Sequence, residues 1–181
     1  MRKVVSGLFI SLDGVTEAPN EWQFDHFDQG MEEFMGAMLA EQDAVLLGRV
    51  TWEQWAGYWP SSTDEPFASY INNVPKYVFS KTLNDVSAWQ NSTLLKGDLA
   101  AEIGRLKQEP GKNLGVAGSV GLVRSLFEAG LLDELSLAIH PVVVGKGDRL
   151  FREGMDLKRL SLVSSKVTPT GVAILTYQPR E

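Results

Sequence analysis

The chain has 181 residues, of which 44% are hydrophobic and 22% charged, and these are the proportions of an ordinary globular protein. Its 17 basic residues are scattered and its formal net charge is -6, so no electrostatic footprint for nucleic acid or for an anionic membrane is present. The absence of cysteine excludes disulfides, thiolate catalysis and cysteine-based zinc sites, and the presence of only two histidines disfavours a histidine metal site. We therefore expect one domain without a metal.

The N-terminal residues predict a buried strand that runs into a turn. The stretch KVVSGLFISLDG mixes β-branched and apolar residues with small ones and ends at the Asp13-Gly14 pair. Polar residues such as Ser6 and Ser11 interrupt the apolar run too early for a secretory signal, and the sequence nowhere has about 18 uninterrupted apolar residues. We therefore expect a cytoplasmic protein that makes no contact with a membrane.

A long aromatic loop and a helix come next. Residues 15–30, VTEAPNEWQFDHFDQG, are rich in turn formers and aromatic side chains, as is typical of lids and binding loops. From Met31 to about Glu41 the apolar residues recur at helical spacing and predict an amphipathic helix.

Two short strands then follow, each ending in a polar turn. The first, DAVLLGR, precedes a second helix that is predicted to begin after Thr51, a suitable N-cap residue, and to be kept short by Gly57 and Pro60. The second is the hydrophobic stretch YVF.

The rest of the chain first alternates strands with helices and then contains strands alone. STLLKGD predicts a strand, LAAEIGRLKQEPG a helix, and NLGVAGSVGLVRSLFEAGLLDEL a strand, a glycine-rich turn and a helix. DELSLAIHPVVVGKGDRLF is β-rich, and LSLVSSKVTPTGVAILTYQP predicts two strands around a turn. The alternation indicates an α/β fold with a largely parallel sheet, to which the ending adds an antiparallel hairpin.

Three loops that follow predicted strands are candidates for binding an anion. They read GRVT, SKT and GVAGSVG. In open α/β sheets ligands bind beyond the carboxyl ends of the strands, so loops on one edge would form a continuous groove. The glycine spacing in the third loop does not match the Rossmann fingerprint, which disfavours a doubly wound dehydrogenase.

The side chains of these loops favour a dinucleotide with an additional phosphate. Arg49 offers a planar fork for a phosphate, Lys81 offers a point charge, and Ser80 and Thr82 offer short hydroxyl donors. These groups predict NADPH rather than NADH as the ligand. The alternative interpretation is that the charged side chains are solvated and that the glycines only form turns.

This set of motifs resembles the dihydrofolate reductase-like superfamily, and most closely the branch that contains the reductase domain of bacterial riboflavin biosynthesis. The motifs occur in order over nearly the whole chain: SLDGV, LLGRVTWE, VFSKTL, GVAGSVGLVRSLFEAGLLDEL and HPVVVGKGDRLF. The resemblance implies one domain over residues 1–181 with a three-layer α/β fold, in which helices flank a central mixed, mostly parallel sheet with an antiparallel C-terminal hairpin. It also implies NADPH as the cofactor and a homodimer, since relatives often pair through their β-rich ends.

The resemblance and the loop chemistry together give a set of contacts to NADPH. GRVTW looks like the loop that grips the adenosine end and the pyrophosphate, and the Ser80-Lys81 pair looks like the 2′-phosphate pocket. Residues 117–120 stand where the superfamily has a double-glycine turn, with an alanine in place of the first glycine. The full set is Gly48, Arg49, Thr51, Ser80, Lys81, Thr82, Ala117, Gly118, Ser119 and Val120.

Two carboxylates are candidates for a catalytic role. Dihydrofolate reductases use one carboxylate on the first helix to orient and help protonate the pterin, and the resemblance puts that position on Glu32, with Asp28 one turn earlier. The alternative is a solvated acid in the first turn of a helix. Asp13 is predicted to make a polar contact near the nicotinamide, or else to belong to a plain Asp-Gly turn.

Aromatic residues complete the predicted substrate side. The riboflavin-pathway reductases have an aspartate facing the substrate where this chain has Trp55, which argues against the same phosphorylated aminopyrimidine substrate. Trp22, Trp52 and Trp55 are predicted to line a flat aromatic slot, although tryptophans near a helix also commonly belong to the core. His140 is interpreted as a structural or dimer-edge residue.

Two functions of different classes follow from these features. The first is an NADPH-dependent reductase that transfers hydride to a C=N or C=O bond of a small planar heterocycle. The second is an NADP-binding sensor or dimeric scaffold without reductase activity. Dihydrofolate reductase activity itself would require a carboxylate that faces the pterin, and would be excluded if the first helix turned Glu32 outward.

Overall fold

Eight strands form one sheet in the structure, a computed structural model that describes residues 1–180. The strands are β1 (Val4–Ser11), β2 (Gln42–Gly48), β3 (Lys76–Phe79), β4 (Ser92–Leu95), β5 (Asn113–Val116), β6 (Glu134–His140), β7 (Leu160–Val167) and β8 (Ala173–Pro179). Their order is β4-β3-β2-β5-β1-β6-β8-β7; neighbours from β4 to β6 are parallel, whereas β8 is antiparallel to β6 and to β7. The predicted mixed, mostly parallel sheet with an antiparallel C-terminal hairpin is confirmed.

Helices cover both faces of this sheet. They are α1 (Gln29–Ala40), α2 (Arg49–Ala56), α3 (Phe67–Asn73), α4 (Leu99–Gln108) and α5 (Val120–Glu128). Side chains alternate between the two faces along a strand, so Leu46 packs with residues of α4 and α5, whereas its neighbours Val45 and Leu47 pack with residues of α2 and α3. The helix α1 covers the β6 side of that second face, where Met31 packs with Ala138. Within residues 1–180, no helix is long and apolar enough to span a membrane.

The helix α2 begins earlier than its sequence predicts. The prediction that Thr51 is the N-cap residue was wrong, because α2 begins at Arg49 with Gly48 as the N-cap residue. Contacts from a distant part of the chain explain the difference. The amide of Gly48 donates to Oγ of Ser119 (2.9 Å), and the hydroxyl of Thr51 donates to the carbonyl of Gly118 (3.4 Å) rather than capping its own helix.

No pattern in the sequence predicts α3, which is held in place by a buried lysine. Lys76, the first residue of β3, is completely buried, and its ammonium donates to the carbonyls of Ile71 (2.8 Å) and Val74 (3.0 Å) at the C-terminal end of α3. The same ammonium lies 4.6 Å from the centroid of the Trp89 ring, a cation-π contact. Burial lowers the pKa of Lys76 to about 8.

Two irregular segments flank the region where the predicted site lies. The first, called here the aromatic loop (residues 15–28), contains two 3-10 turns, Pro19–Glu21 and Phe24–His26, and leads directly into α1. The second follows β6: the β-rich run predicted there ends at His140. An isolated β-bridge between Val15 and Arg149 and the hydrogen bond from the amide of Thr16 to the carbonyl of Asp148 (2.9 Å) join the two segments.

Candidate functional site

The predicted loops lie side by side at one edge of the sheet. Because β1, β2, β3, β5 and β6 are parallel, their carboxyl ends all face this edge. In spatial order from β3 to β6, the ends carry Ser80, Gly48, Ala117, Leu12 and Pro141. With strands about 4.8 Å apart, these five ends span roughly 19 Å, which suits an extended ligand.

The loops after β2 and β5 are joined by direct contacts. The two hydrogen bonds described above connect Gly48 to Ser119 and Thr51 to Gly118. Gly118 has a φ of 60°, a conformation that favours glycine, and a Cβ atom there would lie 2.6 Å from the ring of Trp55. The starts of α2 and α5 are therefore fixed next to one another.

The N-terminal amides of α2 and α5 have no side-chain cap, in contrast to those of α1 and α4. Asp28 caps α1 by accepting a hydrogen bond from Met31, and Asp98 caps α4 by accepting one from Ala101. Neither α2 nor α5 has such a bond, since Ser119 turns its hydroxyl towards Gly48. Uncapped amides and the positive end of the helix dipole attract an anion, and no carboxylate caps either helix to repel one.

Basic side chains accompany these helix ends. Arg49, the first residue of α2, is nearly half exposed and forms an ion pair with Glu53 (2.7 Å) one turn later. Lys81 is exposed in the loop after β3 and forms no ion pair within the described part of the chain. In the same loop Oγ of Ser80 accepts hydrogen bonds from the amides of Thr82 (3.2 Å) and Leu83 (3.0 Å), which fixes the turn.

Asp13 connects two loops. Its carboxylate accepts hydrogen bonds from the hydroxyl of Ser11 (2.6 Å) and from the amides of Val144 (3.1 Å) and Gly145 (2.8 Å) in the segment after β6. These bonds hold the pKa of Asp13 well below its usual range. Asp13 is therefore ionised at neutral pH, cannot donate a proton there, and holds the loop after β1 against the segment after β6.

The acids at the start of α1 have different surroundings. Asp28 accepts hydrogen bonds from the amide (2.9 Å) and hydroxyl (2.8 Å) of Thr170 in the turn between β7 and β8. Burial raises the pKa of Asp28, but the bonds from Thr170 and Met31 outweigh it and lower the pKa to about 2. Glu32 is exposed and forms no side-chain hydrogen bond with any described residue, the arrangement of a solvated acid at a helix start.

The three candidate tryptophans occupy three different environments. Trp52 is 5% exposed and donates to the hydroxyl of Ser92 (3.0 Å), as a core tryptophan does. Trp55 is half-buried and packs edge-on against Phe67, with ring centroids 5.7 Å apart. Trp22 lies in the aromatic loop, where its indole donates to the carbonyl of Glu17 (3.2 Å).

A buried histidine beneath the aromatic loop is the residue whose surroundings the sequence does not reveal. His140 is completely buried, its Nδ1 lies 3.0 Å from the carbonyl of Ala138, and its Nε2 has no partner among the described residues. The ring stands edge-on to Phe9, Trp22 and His26 at centroid distances of 5.7, 5.3 and 6.4 Å. Only the position next to Pro141, at a strand end, marks it in the sequence.

We expect His140 to make the protein less stable in mild acid. Burial lowers the pKa of His140 below its usual value of 6.5, and although its bond to Ala138 raises the pKa, the nearby His26 lowers it further. The unfolded chain therefore binds the proton more readily, so the free energy of unfolding falls as the pH drops below about 6.5. Urea unfolding at pH 7 and pH 5 should show this loss in the wild type and a smaller loss in His140→Phe. Equal losses would contradict the prediction.

A metal site is not evident at this edge. In residues 1–180 no group of three or more histidine, cysteine, aspartate or glutamate residues is arranged to hold a metal ion.

Comparison with known proteins identifies the family. Residues 2–174 match the model of the RibD C-terminal domain.

The chain is 29% identical to the uncharacterised protein YyaP of Bacillus subtilis, over 97% of this chain and 94% of that protein. A putative riboflavin biosynthesis protein from Shewanella sp. PV-4 has the same fold with a TM-score of 0.79, at 21% identity and 99% coverage of both chains. Dihydrofolate reductase from Enterococcus faecalis, solved with NADP(H), has a TM-score of 0.63 at 14% identity, covering 99% of this chain and 97% of that one. These matches confirm the resemblance drawn from the motifs, and the chain belongs to the RibD C-terminal domain family.

Proposed function

We propose that this protein is an NADPH-dependent reductase that transfers hydride to a C=N or C=O bond of a small planar heterocycle. One observation carries the proposal: the uncapped N-terminal ends of α2 and α5 are fixed next to one another at the strand ends, with Arg49 beside them. A pair of free helix ends with a neighbouring guanidinium suits a pyrophosphate. The family match supports the same cofactor, as does the similarity to the Enterococcus faecalis reductase that was solved in complex with NADP(H).

The chain's own residues would then position the reactants. Arg49 and the amides at the starts of α2 and α5 would hold the pyrophosphate, and Ser80 with Lys81 would hold the 2′-phosphate one strand further along. When bound, NADPH supplies the hydride. Because Asp13 is held ionised by hydrogen bonds, the proton would come from Glu32 or from a water molecule rather than from Asp13.

The walls of the substrate site would be aromatic. Trp22 lies over the end of β6, where it would shield a flat ring from water, whereas Trp55 stands beside the Gly118 turn, nearer to the cofactor. The indole at position 55 cannot supply the hydrogen-bonding carboxylate that the riboflavin-pathway reductases turn towards their substrate at this place. This supports a substrate other than the phosphorylated aminopyrimidine of riboflavin synthesis.

The second candidate is an NADP-binding sensor or scaffold without reductase activity. The surroundings of the three candidate acids favour this alternative. The carboxylates of Asp13 and Asp28 accept hydrogen bonds that hold loops together, and Glu32 is exposed to solvent. The same exposure of Glu32 counts against dihydrofolate reductase activity itself.

Titration of the purified protein with NADPH and with NADH, followed by nucleotide fluorescence, tests the shared part of both candidates. We expect binding of NADPH with a clear preference over NADH, because the additional phosphate gains the contacts of the loop after β3. Consumption of NADPH with any member of a panel of planar heterocycles would then establish a reductase, and binding without consumption would favour the sensor. If neither nucleotide binds, both candidates fail.

We also propose that the protein is a homodimer joined through β7. This edge strand has eight residues with one charged side chain, Lys166, and leaves Leu162, Val163 and Val167 at least half exposed. Edge strands with few charges and exposed apolar side chains readily pair with another copy, and antiparallel pairing of β7 with itself satisfies two-fold symmetry. Sedimentation equilibrium should give a dimer that Val163→Lys converts to a monomer. Val143→Lys changes a more exposed valine, in the segment after β6, and should leave the dimer intact. A monomeric wild type would contradict this.

A further inference from the structure

The end of β6 lies beyond the proposed cofactor site, in the direction of the substrate. His140 is the last residue of β6 and pairs in register with Ser11 at the end of β1. Since β1 lies between β5 and β6, His140 is roughly 10 Å from the end of β5, where the Gly118 turn would hold the pyrophosphate. A cofactor that extends along the strand ends would bring its reactive end towards His140 and the aromatic loop above it.

Polar atoms without partners are concentrated at this place. In residues 1–180, four buried side-chain polar atoms have no hydrogen-bond partner. Three of them belong to the aromatic loop or to the histidine beneath it: Oε1 of Gln23, Nδ1 of His26 and Nε2 of His140. Buried polar groups are nearly always paired, so a cluster of unpaired ones indicates a place where a further molecule supplies the partner.

The hydrogen-bonding role of His140 follows from its other nitrogen. Nδ1 lies 3.0 Å from the carbonyl of Ala138, which can only accept, so Nδ1 carries the proton. In the neutral ring Nε2 is then an acceptor. Burial and the nearby His26 lower the pKa of His140, which keeps this neutral form dominant at pH 7.

The surroundings of Nε2 are aromatic and uncharged. The rings of Phe9, Trp22 and His26 stand nearly perpendicular to the imidazole, with interplanar angles of 79° to 87°. Among the described residues, His26 is the only titratable side chain whose charge would alter the pKa of His140. Such a site suits the edge of a flat neutral ring and gives an anionic group no counter-charge.

We propose that His140 is a substrate-contact residue whose Nε2 accepts a hydrogen bond from a ring N–H of a neutral planar heterocycle, with His26 as the second polar contact. This rests on the proposed function and specifies the substrate edge that the site recognises. Trp22, which now stands edge-on to the imidazole, must move aside as the ring enters. The indole donates its hydrogen bond to the carbonyl of Glu17 within the same loop and not to the sheet, so Trp22 and its loop can move together.

Two ligands that differ only in their N–H groups test the proposal on the NADP⁺-loaded protein. Lumazine is a neutral planar pteridine with ring N–H donors, and 1,3-dimethyllumazine has the same rings with methyl groups in place of those hydrogens. By calorimetry we expect the wild type to bind lumazine about tenfold more tightly than its dimethyl analogue, the effect of one hydrogen bond. His140→Phe, which keeps the aromatic packing, should bind the two ligands equally.

A second measurement does not depend on the folding of the variant. In the wild type labelled with ¹⁵N, the resonance of Nε2 of His140 should shift on addition of lumazine and stay unchanged with the dimethyl analogue. Failure of lumazine to bind, equal affinities in the wild type, or a preference that persists in His140→Phe would overturn the proposal. Binding of NADP⁺ is measured first in both proteins. If the wild type binds NADP⁺ but does not prefer lumazine to its dimethyl analogue, only this inference fails. If the wild type does not bind NADP⁺, the proposed function fails and this inference fails with it.

Discussion

Replacing Arg49 with alanine is expected to weaken the binding of NADPH and of NADH alike, by about 10- to 100-fold, because both nucleotides carry the pyrophosphate. A hydrogen bond to a charged group contributes about 1.5–3 kcal/mol, and tenfold in affinity corresponds to about 1.4 kcal/mol. Arg49 is the first residue of α2, so its guanidinium can exchange its ion pair with Glu53 for an anion at the helix start, where the positive end of the helix dipole attracts the same anion. Fluorescence titration at constant ionic strength gives both dissociation constants.

The chain provides a matched control for this substitution. Arg105 on α4 has a side chain 52% exposed, against 45% for Arg49, and it also forms ion pairs along its own helix, with Glu102 and Glu109. Arg105→Ala removes the same charge near the C-terminal end of α4, which contacts the start of β1 at the opposite edge of the sheet through Lys107 and Arg2, and should leave NADPH affinity unchanged. If both variants bind equally weakly, net charge rather than a local contact explains the effect. If Arg49→Ala binds as the wild type does, the assignment of Arg49 to the cofactor is wrong.

The parts of the fold that sequence alone predicts are those set by local patterns. The stretch KVVSGLFIS has the β-branched composition of a buried strand, and the repeated order of strand, polar loop and helix fixes a mostly parallel sheet. The two strands around Thr168 to Gly171 are likewise marked by turn residues. In each case residues that are adjacent in the sequence determine the secondary structure.

Elements that depend on distant residues could not be predicted in the same way. The N-cap of α2 is at Gly48 because Ser119, 71 residues later, supplies the hydrogen bond. The position of α3 depends on Lys76, whose buried ammonium pairs with carbonyls that the sequence does not identify as partners. Local propensity is a weak guide where tertiary contacts decide the outcome.

The candidate site likewise has some features that the sequence predicts and others that depend on distant residues. The cofactor loops are short motifs directly after strands, so their positions at one edge follow from a parallel sheet. The partners of Asp13, by contrast, are amides 131 and 132 residues away, and only the structure shows that this carboxylate is fully occupied. The environment of the unpaired nitrogen of His140 is formed where β1, β6 and the aromatic loop meet, and no spacing in the sequence encodes that.

Gly118→Ala is expected to abolish most cofactor binding, with an affinity loss of about 100-fold, and to lower the free energy of unfolding. The glycine has a φ of 60°, and a side chain in this conformation costs about 1–2 kcal/mol. Its new Cβ would also lie 2.6 Å from a ring atom of Trp55, which is far below van der Waals contact. The turn must therefore move.

Movement of that turn reaches the cofactor site through two identified bonds. Gly118 accepts from Thr51 and its neighbour Ser119 accepts from Gly48, so a displaced turn separates the starts of α2 and α5. Loss of one or two hydrogen bonds to the charged pyrophosphate, at about 1.5–3 kcal/mol each, corresponds to about 100-fold in affinity, which sets the size of the expected loss. NADPH titration and urea unfolding of the same preparation measure the two effects separately.

Gly104→Ala is the matched control, in the middle of α4, a helix that the proposed cofactor site does not use. A Cβ there meets no atom within 4 Å, and alanine stabilises a helix by about 1 kcal/mol relative to glycine. This variant should bind NADPH as the wild type does and unfold at the same or a higher urea concentration. Trp55→Ala combined with Gly118→Ala removes the collision but keeps the backbone strain, so it should recover part of the stability. If Gly118→Ala alone binds NADPH normally, the close packing of the two helix starts is not what forms the cofactor site, and the proposed function loses the observation that carries it.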